Sequence, residues 1–110
     1  MTLNEYQQKA LLTAVYSDDT FKDLMHWVLG TVGEAGEIAE KLKKIIRDKE
    51  SVVDEHDKQE LMKEVGDVLW YLAVLSDHLG YELETVAKAN NDKLLSRQSR
   101  NKIRGKGDNR

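Results

Sequence analysis

Two acidic clusters carry the chemistry that this sequence offers: Gly33-Glu34-Ala35-Gly36-Glu37 and Glu64-Val65-Gly66-Asp67. Each places two carboxylates three residues apart, so on a helix each pair shares one face. Brought together, the two pairs form a cage of hard oxygen ligands, which suits Mg²⁺ or Mn²⁺. Four clustered negative charges cost stability unless a cation offsets them.

Spacing alone does not single these residues out. The chain holds five acid pairs at this spacing (34/37, 37/40, 54/57, 57/60 and 64/67), about what 20 acids among 110 residues scatter by chance. Position is more informative. At about 100° per residue, Glu34 falls about 40° from Ile38, inside the apolar stripe of its helix, and Glu37 lies further round on the same side. Glu64 falls about 60° from Leu61 and about 40° from Val68. An acid at the margin of a core is expensive unless paired or metal-bound.

Glycine marks the same place. Of the seven glycines, Gly30, Gly33, Gly36 and Gly66 fall inside helical patterns and within four residues of these acids. Each costs about 1 kcal/mol there relative to alanine. Local rules broken together point to a functional site, and close helix–helix approach is a compatible reason.

Other residues on these faces fit a nucleotide. Trp27 lies seven residues before Glu34 on the same side, where an indole can stack a base; a core tryptophan is the competing reading. Lys41 and Lys44 follow the acids, placed either to meet phosphate oxygens or to pair with Glu37 and Glu40. Asn91, Lys93 and Arg97 cluster near the end of the chain's last helical pattern, where the amide can bond a sugar or phosphate and the cations can offset charge. The sequence has no His-Glu-x-x-His motif, P-loop or dinucleotide fingerprint.

The elements that must position these groups are helical. Thr2-Leu3-Asn4-Glu5 reads as a capping box opening a helix to about Tyr16. Ser17–Thr20 is a turn, and a long pattern from Phe21 to Asp48 repeats Leu24, Val28, Ala35, Ile38, Leu42 and Ile45 at helical spacing. Residues 49–57 form a charged loop, and Asp57-Lys58-Gln59-Glu60 reads as a second capping box. The following helix carries Leu61, Val65, Val68, Leu72, Leu75 and Leu79 on one stripe and ends at Gly80 as a C′ residue. A last helix covers Glu82 to Arg97, with Leu83, Val86, Ala87 and Leu94 facing in. Short connections between antiparallel helices predict an all-α, four-helix bundle-like protomer. The expected division is an all-α domain over 1–97 and a basic C-terminal tail over 98–110.

Composition limits the alternatives. The 110 residues make one domain with a small core, so oligomerisation would help it. Proline and cysteine are absent, aromatics are 6% and charged residues 34%, a mixture that favours helices with divided faces and excludes disulfide or thiol chemistry. The start MTLNEYQQKA lacks the pattern of a signal peptide, and no apolar run reaches membrane-spanning length, so a cytoplasmic protein without a membrane partner is expected. The net charge of −3 hides an asymmetry: residues 97–110 hold six Lys/Arg and one acid, while the rest hold 11 basic and 19 acidic residues. The basic tail reads as a solvated end, a nucleic-acid contact, or a phosphate clamp folded back on the metal site.

The order Gly-Glu-Ala-Gly-Glu followed by Glu-Val-Gly-Asp resembles the Glu-x-x-Glu, spacer, Glu-x-x-Asp signature of the MazG-type nucleoside triphosphate pyrophosphohydrolases. The segment Asn91–Arg97 resembles the family's Asn-x-Lys-hydrophobic-x-x-Arg run. The ending Gly105-Lys106-Gly107-Asp108-Asn109-Arg110 is similar to the tail of short members, where a small residue is more usual at position 106. The resemblance covers roughly 20–110. It implies an all-α bundle assembled as a homodimer or homotetramer. It also implies Mg²⁺-dependent hydrolysis of a (d)NTP to the monophosphate and pyrophosphate. By this resemblance Glu34, Glu37, Glu64 and Asp67 are the metal ligands and catalytic carboxylates, and Asn91, Lys93 and Arg97 contact phosphates or sugar. Trp27 and Lys44 join them as substrate-binding candidates, and nucleic acid is not an expected partner. The competing expectation is a non-enzymatic helical interaction module whose basic tail touches nucleic acid.

Overall fold

The computed structural model describes residues 1–110 as four helices without a strand: α1 Leu3–Leu11, α2 Thr20–Asp48, α3 Glu55–His78 and α4 Leu83–Ser99. The helix termini follow from local side-chain chemistry. Thr2 caps α1 by accepting from the Glu5 amide at 3.0 Å. Asp19 caps α2 by accepting from the Lys22 amide at 3.0 Å. Gly80, at φ +84°, ends α3 in a Schellman pairing: its amide donates to Asp77 and the Tyr81 amide to Ser76, both at 2.9 Å.

Three boundaries differ from the sequence expectation. Helix α1 stops at Leu11 rather than near Tyr16, because the chain turns so that the Thr13 hydroxyl bonds back to Ala10 and accepts from the Trp70 indole at 2.8 Å. Helix α3 begins three residues early. Asp54, not Asp57, is its N-cap, and Asp57 is the N3 partner whose carboxylate accepts from the Asp54 amide at 3.0 Å. Helix α4 runs to Ser99, two residues past the expected domain end.

Helices α2 and α3 form a long antiparallel hairpin, and α1 and α4 pack on α3. One buried amide ties this end together. Gln7 Nε2 donates to the carbonyls of Ala73 and Tyr81, each at 3.1 Å, and its Oε1 accepts from the Leu83 amide at 2.9 Å. Asn4 Oδ1 accepts from the Glu84 amide at 3.1 Å, supplying the α4 N-terminus with the cap that Glu82 does not. Buried Asp23 accepts from the backbone and hydroxyl of Ser17, fixing the link between α1 and α2.

The four helices do not close into a compact bundle. No Cα of α4 comes within 8 Å of one in α2. Only 10 of 110 residues are buried, and the radius of gyration is 17.0 Å against about 13 Å for a compact chain of this length. One core cluster is Ala10, Ala73 and Leu83 with Tyr6 and Trp70, and Trp27, Ile45 and Val74 are also buried. Much of the expected inward stripe, including Val28, Leu42, Val65, Leu72 and Leu79, is exposed. Helix α3 turns Ala73, Val74 and Ser76 inward instead, because α1 and α4 lie on that side. No helix is long and apolar enough to cross a membrane.

Candidate metal centre

The α2–α3 hairpin brings three of the four candidate carboxylates together. Glu34 from α2 and Glu64 and Asp67 from α3 each present an oxygen within 4.8 Å of the others. Glu64 and Asp67 share a face because they are three apart on one helix, and the antiparallel pairing sets Glu34 opposite them. An octahedral ion about 2.1 Å from its ligands sets adjacent oxygens about 3 Å apart and opposite ones about 4 Å apart. Small rotamer changes therefore convert this trio into a half-shell for such an ion. Glu37 is exposed and lies outside the trio.

The trio's electrostatics fit the same reading. Partial burial raises the Glu34 pKa above the ordinary carboxylate value, and the charges of Asp67, Glu64 and Glu37 raise it further. The one cation reaching across is Lys41, whose Nζ lies 3.3 Å from Glu64 and 3.8 Å from Glu60. Sequence spacing suggests pairing with Glu37, but the partners of Lys41 lie on the facing helix. Lys44 pairs with Glu40 at 3.8 Å, one turn back on its own helix. Lys41 and Lys44 line a cavity of about 220 Å³ with Lys49, His56, Asp57 and Glu60, next to the trio.

The four helical glycines divide into two kinds. A Cβ on Gly30 would lie 2.1 Å from Tyr71 Cε1, so this glycine lets α3 approach α2. Gly33, Gly36 and Gly66 have nothing within 4 Å of a built Cβ. Helix approach within the chain accounts for the first alone; the other three leave open space beside the acids.

Trp27 does not present a free face to a base. Its indole is 1% exposed and lies inside an aromatic cluster. His26 stacks on it at 4.7 Å, with Tyr16 edge-on at 5.5 Å and Trp70 at 6.0 Å. Protein already covers the surface on which a base would stack, so Trp27 is a core residue in this arrangement. Its Nε1 has no hydrogen-bond partner.

The second candidate group lies on a helix that contributes no member of the trio. Asn91, Lys93 and Arg97 lie on α4, which does not reach α2. Asn91 is exposed, whereas Arg97 is 4% exposed. Lys93 and Arg97 both donate to Asp108 from the tail, at 2.7 and 3.1 Å. Asp108 is not among the site residues expected from the sequence, where it stands as the sole acid among six cations and within the Gly105–Arg110 ending.

The chain is 45% identical to the Gene 37 protein of Mycobacterium phage L5, with both proteins covered over their full length. It is 46% identical to the uncharacterized protein YvdC of Bacillus subtilis over 58% of this chain and 65% of YvdC. No solved structure matches. Residues 20–101, which contain every candidate ligand and the Asn-Lys-Arg segment, match the MazG nucleotide pyrophosphohydrolase domain. That match spans most of the chain, and the chain belongs to the MazG nucleotide pyrophosphohydrolase family.

Proposed function

We propose that this protein is a Mg²⁺-dependent nucleoside triphosphate pyrophosphohydrolase, converting a (d)NTP and water to the (d)NMP and pyrophosphate. The observation that carries this reading is the convergence of Glu34, Glu64 and Asp67 oxygens within 4.8 Å from two helices. Hard carboxylate donors at this spacing suit Mg²⁺, with Mn²⁺ as a substitute. Bound there, the ion would offset phosphate charge and lower the pKa of a water.

The chain's own residues do the rest. Glu34, Glu64 and Asp67 hold and orient. Glu37, one turn along α2 and outside the trio, is free to take the proton of the attacking water or to complete the ligand set. Water oxygen bonds to the α-phosphorus, the bond to the bridging oxygen breaks, and pyrophosphate leaves. Lys93 and Arg97 receive phosphate charge and Asn91 a sugar or phosphate oxygen. Lys44, on the rim of the adjoining cavity, is placed to meet an outer phosphate.

These two groups come together most simply in a homo-oligomer. One face of α2 exposes Phe21, Met25, Val28, Leu29 and Val32 at helical spacing, and α3 exposes Met62, Val65, Leu69 and Leu72. Leu29 and Val32 are 64% and 65% exposed. Such stripes on a chain this open call for a second copy. A dimer, or a tetramer built as a dimer of dimers, would bury them and bring a partner's α4 toward the trio. The setting we infer is cytoplasmic clearance of unwanted nucleotides.

A panel of common and damaged (d)NTPs, assayed for pyrophosphate release with Mg²⁺ and with EDTA, tests the reading. Wild-type protein should turn over at least one substrate only with the metal. Glu37→Gln and Asp67→Asn proteins should fold and release none; wild-type turnover in either refutes the site assignment. The competing nucleic-acid module is weakened because Arg100 and Arg110 point their guanidinium groups at the tail's own oxygens.

A further inference from the structure

The Lys93–Arg97 pair already holds an anion. Asp108 Oδ1 accepts from Lys93 Nζ at 2.7 Å and from Arg97 Nη2 at 3.1 Å, and the Asp108 carbonyl accepts from the same Nη2. Arg97 Nε is buried without a partner. The guanidinium is therefore held by one residue of the tail through Nη2, with Nε left unpaired.

The tail is built to deliver that residue. Arg110 donates to the carbonyls of Lys102, Ile103 and Gly107, and Arg100 donates to the Arg110 carbonyl, closing 102–110 into a loop on α4. Gly105 and Gly107 supply the left-handed backbone this requires, at φ +145° and +81°. Lys93 and Arg97, one turn apart, would otherwise repel. The carboxylate halves their combined charge, and they hold its pKa below the ordinary aspartate value, Lys93 more than Arg97.

We propose that the 102–110 segment is a strap whose Asp108 carboxylate occupies the anion site of Lys93 and Arg97, and that a polyphosphate displaces it. The inference rests on the reading that these two cations receive phosphate. Both Arg97 Nη2 contacts go to Asp108, so a phosphate oxygen and the strap compete for one donor. A triphosphate carries several charges against one carboxylate and wins that exchange. A monophosphate has less to offer, so the returning strap favours its release.

Calorimetric titration of the full chain with sodium tripolyphosphate, without divalent metal, tests this. Asp108→Asn protein should bind several-fold tighter than wild type, and Arg97→Gln protein more weakly. In wild type, the backbone amides of Gly105, Gly107 and Asn109 should lose their ¹⁵N heteronuclear Overhauser effect at saturation, which a merely structural tail would not show. Equal or weaker binding by Asp108→Asn, no binding by any variant, or a tail that stays ordered at saturation overturns the strap. Tighter binding by Asp108→Asn with no (d)NTP hydrolysis leaves the strap standing and removes the hydrolase. Metal-dependent hydrolysis with no gain in Asp108→Asn does the reverse.

Discussion

Lys41 Nζ lies 3.3 Å from Glu64 Oε1, so a cation from α2 reaches across to a carboxylate of the α3 half of the acidic trio. The same Nζ is 3.8 Å from Glu60, one turn earlier on α3. This pairing offsets part of the trio's charge with the protein's own side chain and bridges the two helices that form the site. A partly exposed pair of this kind is worth about 1 kcal/mol or less. Lys41→Met should therefore lower the melting temperature in EDTA slightly. The rise on adding Mg²⁺ should be larger than in wild type, because no internal cation competes. Thermal denaturation with and without the metal reads both effects.

Glu34 gives the trio a defined pH response. Its folded-state pKa is raised, first by burial and then by the Asp67, Glu64 and Glu37 charges. A raised carboxyl pKa favours the folded state below the ordinary glutamate value, and that advantage is lost as pH rises through the raised one. At neutral pH the metal-free trio therefore costs stability. Stabilisation by Mg²⁺ should be large near neutral pH and shrink as pH falls through the raised Glu34 value and its carboxylate takes up a proton. In EDTA at neutral pH, Glu34→Gln should melt above wild type and should respond little to Mg²⁺. Melting curves across pH check the sign; a metal effect independent of pH would contradict it.

The helical glycines should separate by mutation. Gly30→Ala drives a methyl into the Tyr71 ring, 2.1 Å from Cε1, and should cost about 1–3 kcal/mol by overpacking. Gly33→Ala and Gly66→Ala meet open space and should gain up to about 1 kcal/mol from helix propensity. If the open space serves a ligand or a second copy, these stabilised variants lose activity or assembly. Urea denaturation beside pyrophosphate release and sedimentation distinguishes the effects.

The start of α3 should be acid-labile. Lys49 bonds the Asp54 carboxylate at 2.6 Å, and the Asp57 amide donates to it at 2.9 Å, holding its pKa down to about 2. A depressed carboxyl stabilises the fold above its ordinary value and loses that effect as pH falls toward the depressed one. Asp54→Ala should melt several degrees lower at neutral pH, and its deficit against wild type should shrink below about pH 4. Hydrogen exchange at the first-turn amides of α3 would show the loss locally.

Helix existence was legible because periodicity and capping chemistry are local. Thr2, Gly80 and the Phe21–Asp48 pattern each specify structure within a few residues. The α3 cap was read one turn late because Asp54 and Asp57 both suit an N-cap. In the structure the two form a reciprocal capping box with Asp54 at N-cap and Asp57 at N3, and Lys49 bonds both carboxylates from the end of α2.

Sequence by itself determined the helical class, the family and the two acid-rich faces, because spacing on a helix dictates which side chains share a side. Tertiary structure alone decided which acids meet. The hairpin register joins Glu34 to Glu64 and Asp67 and leaves Glu37 aside. It also buried Trp27 among Tyr16, His26 and Trp70, and set Asp108 on Lys93 and Arg97. These outcomes depend on how distant segments dock, and a periodic pattern states only which faces are available for docking.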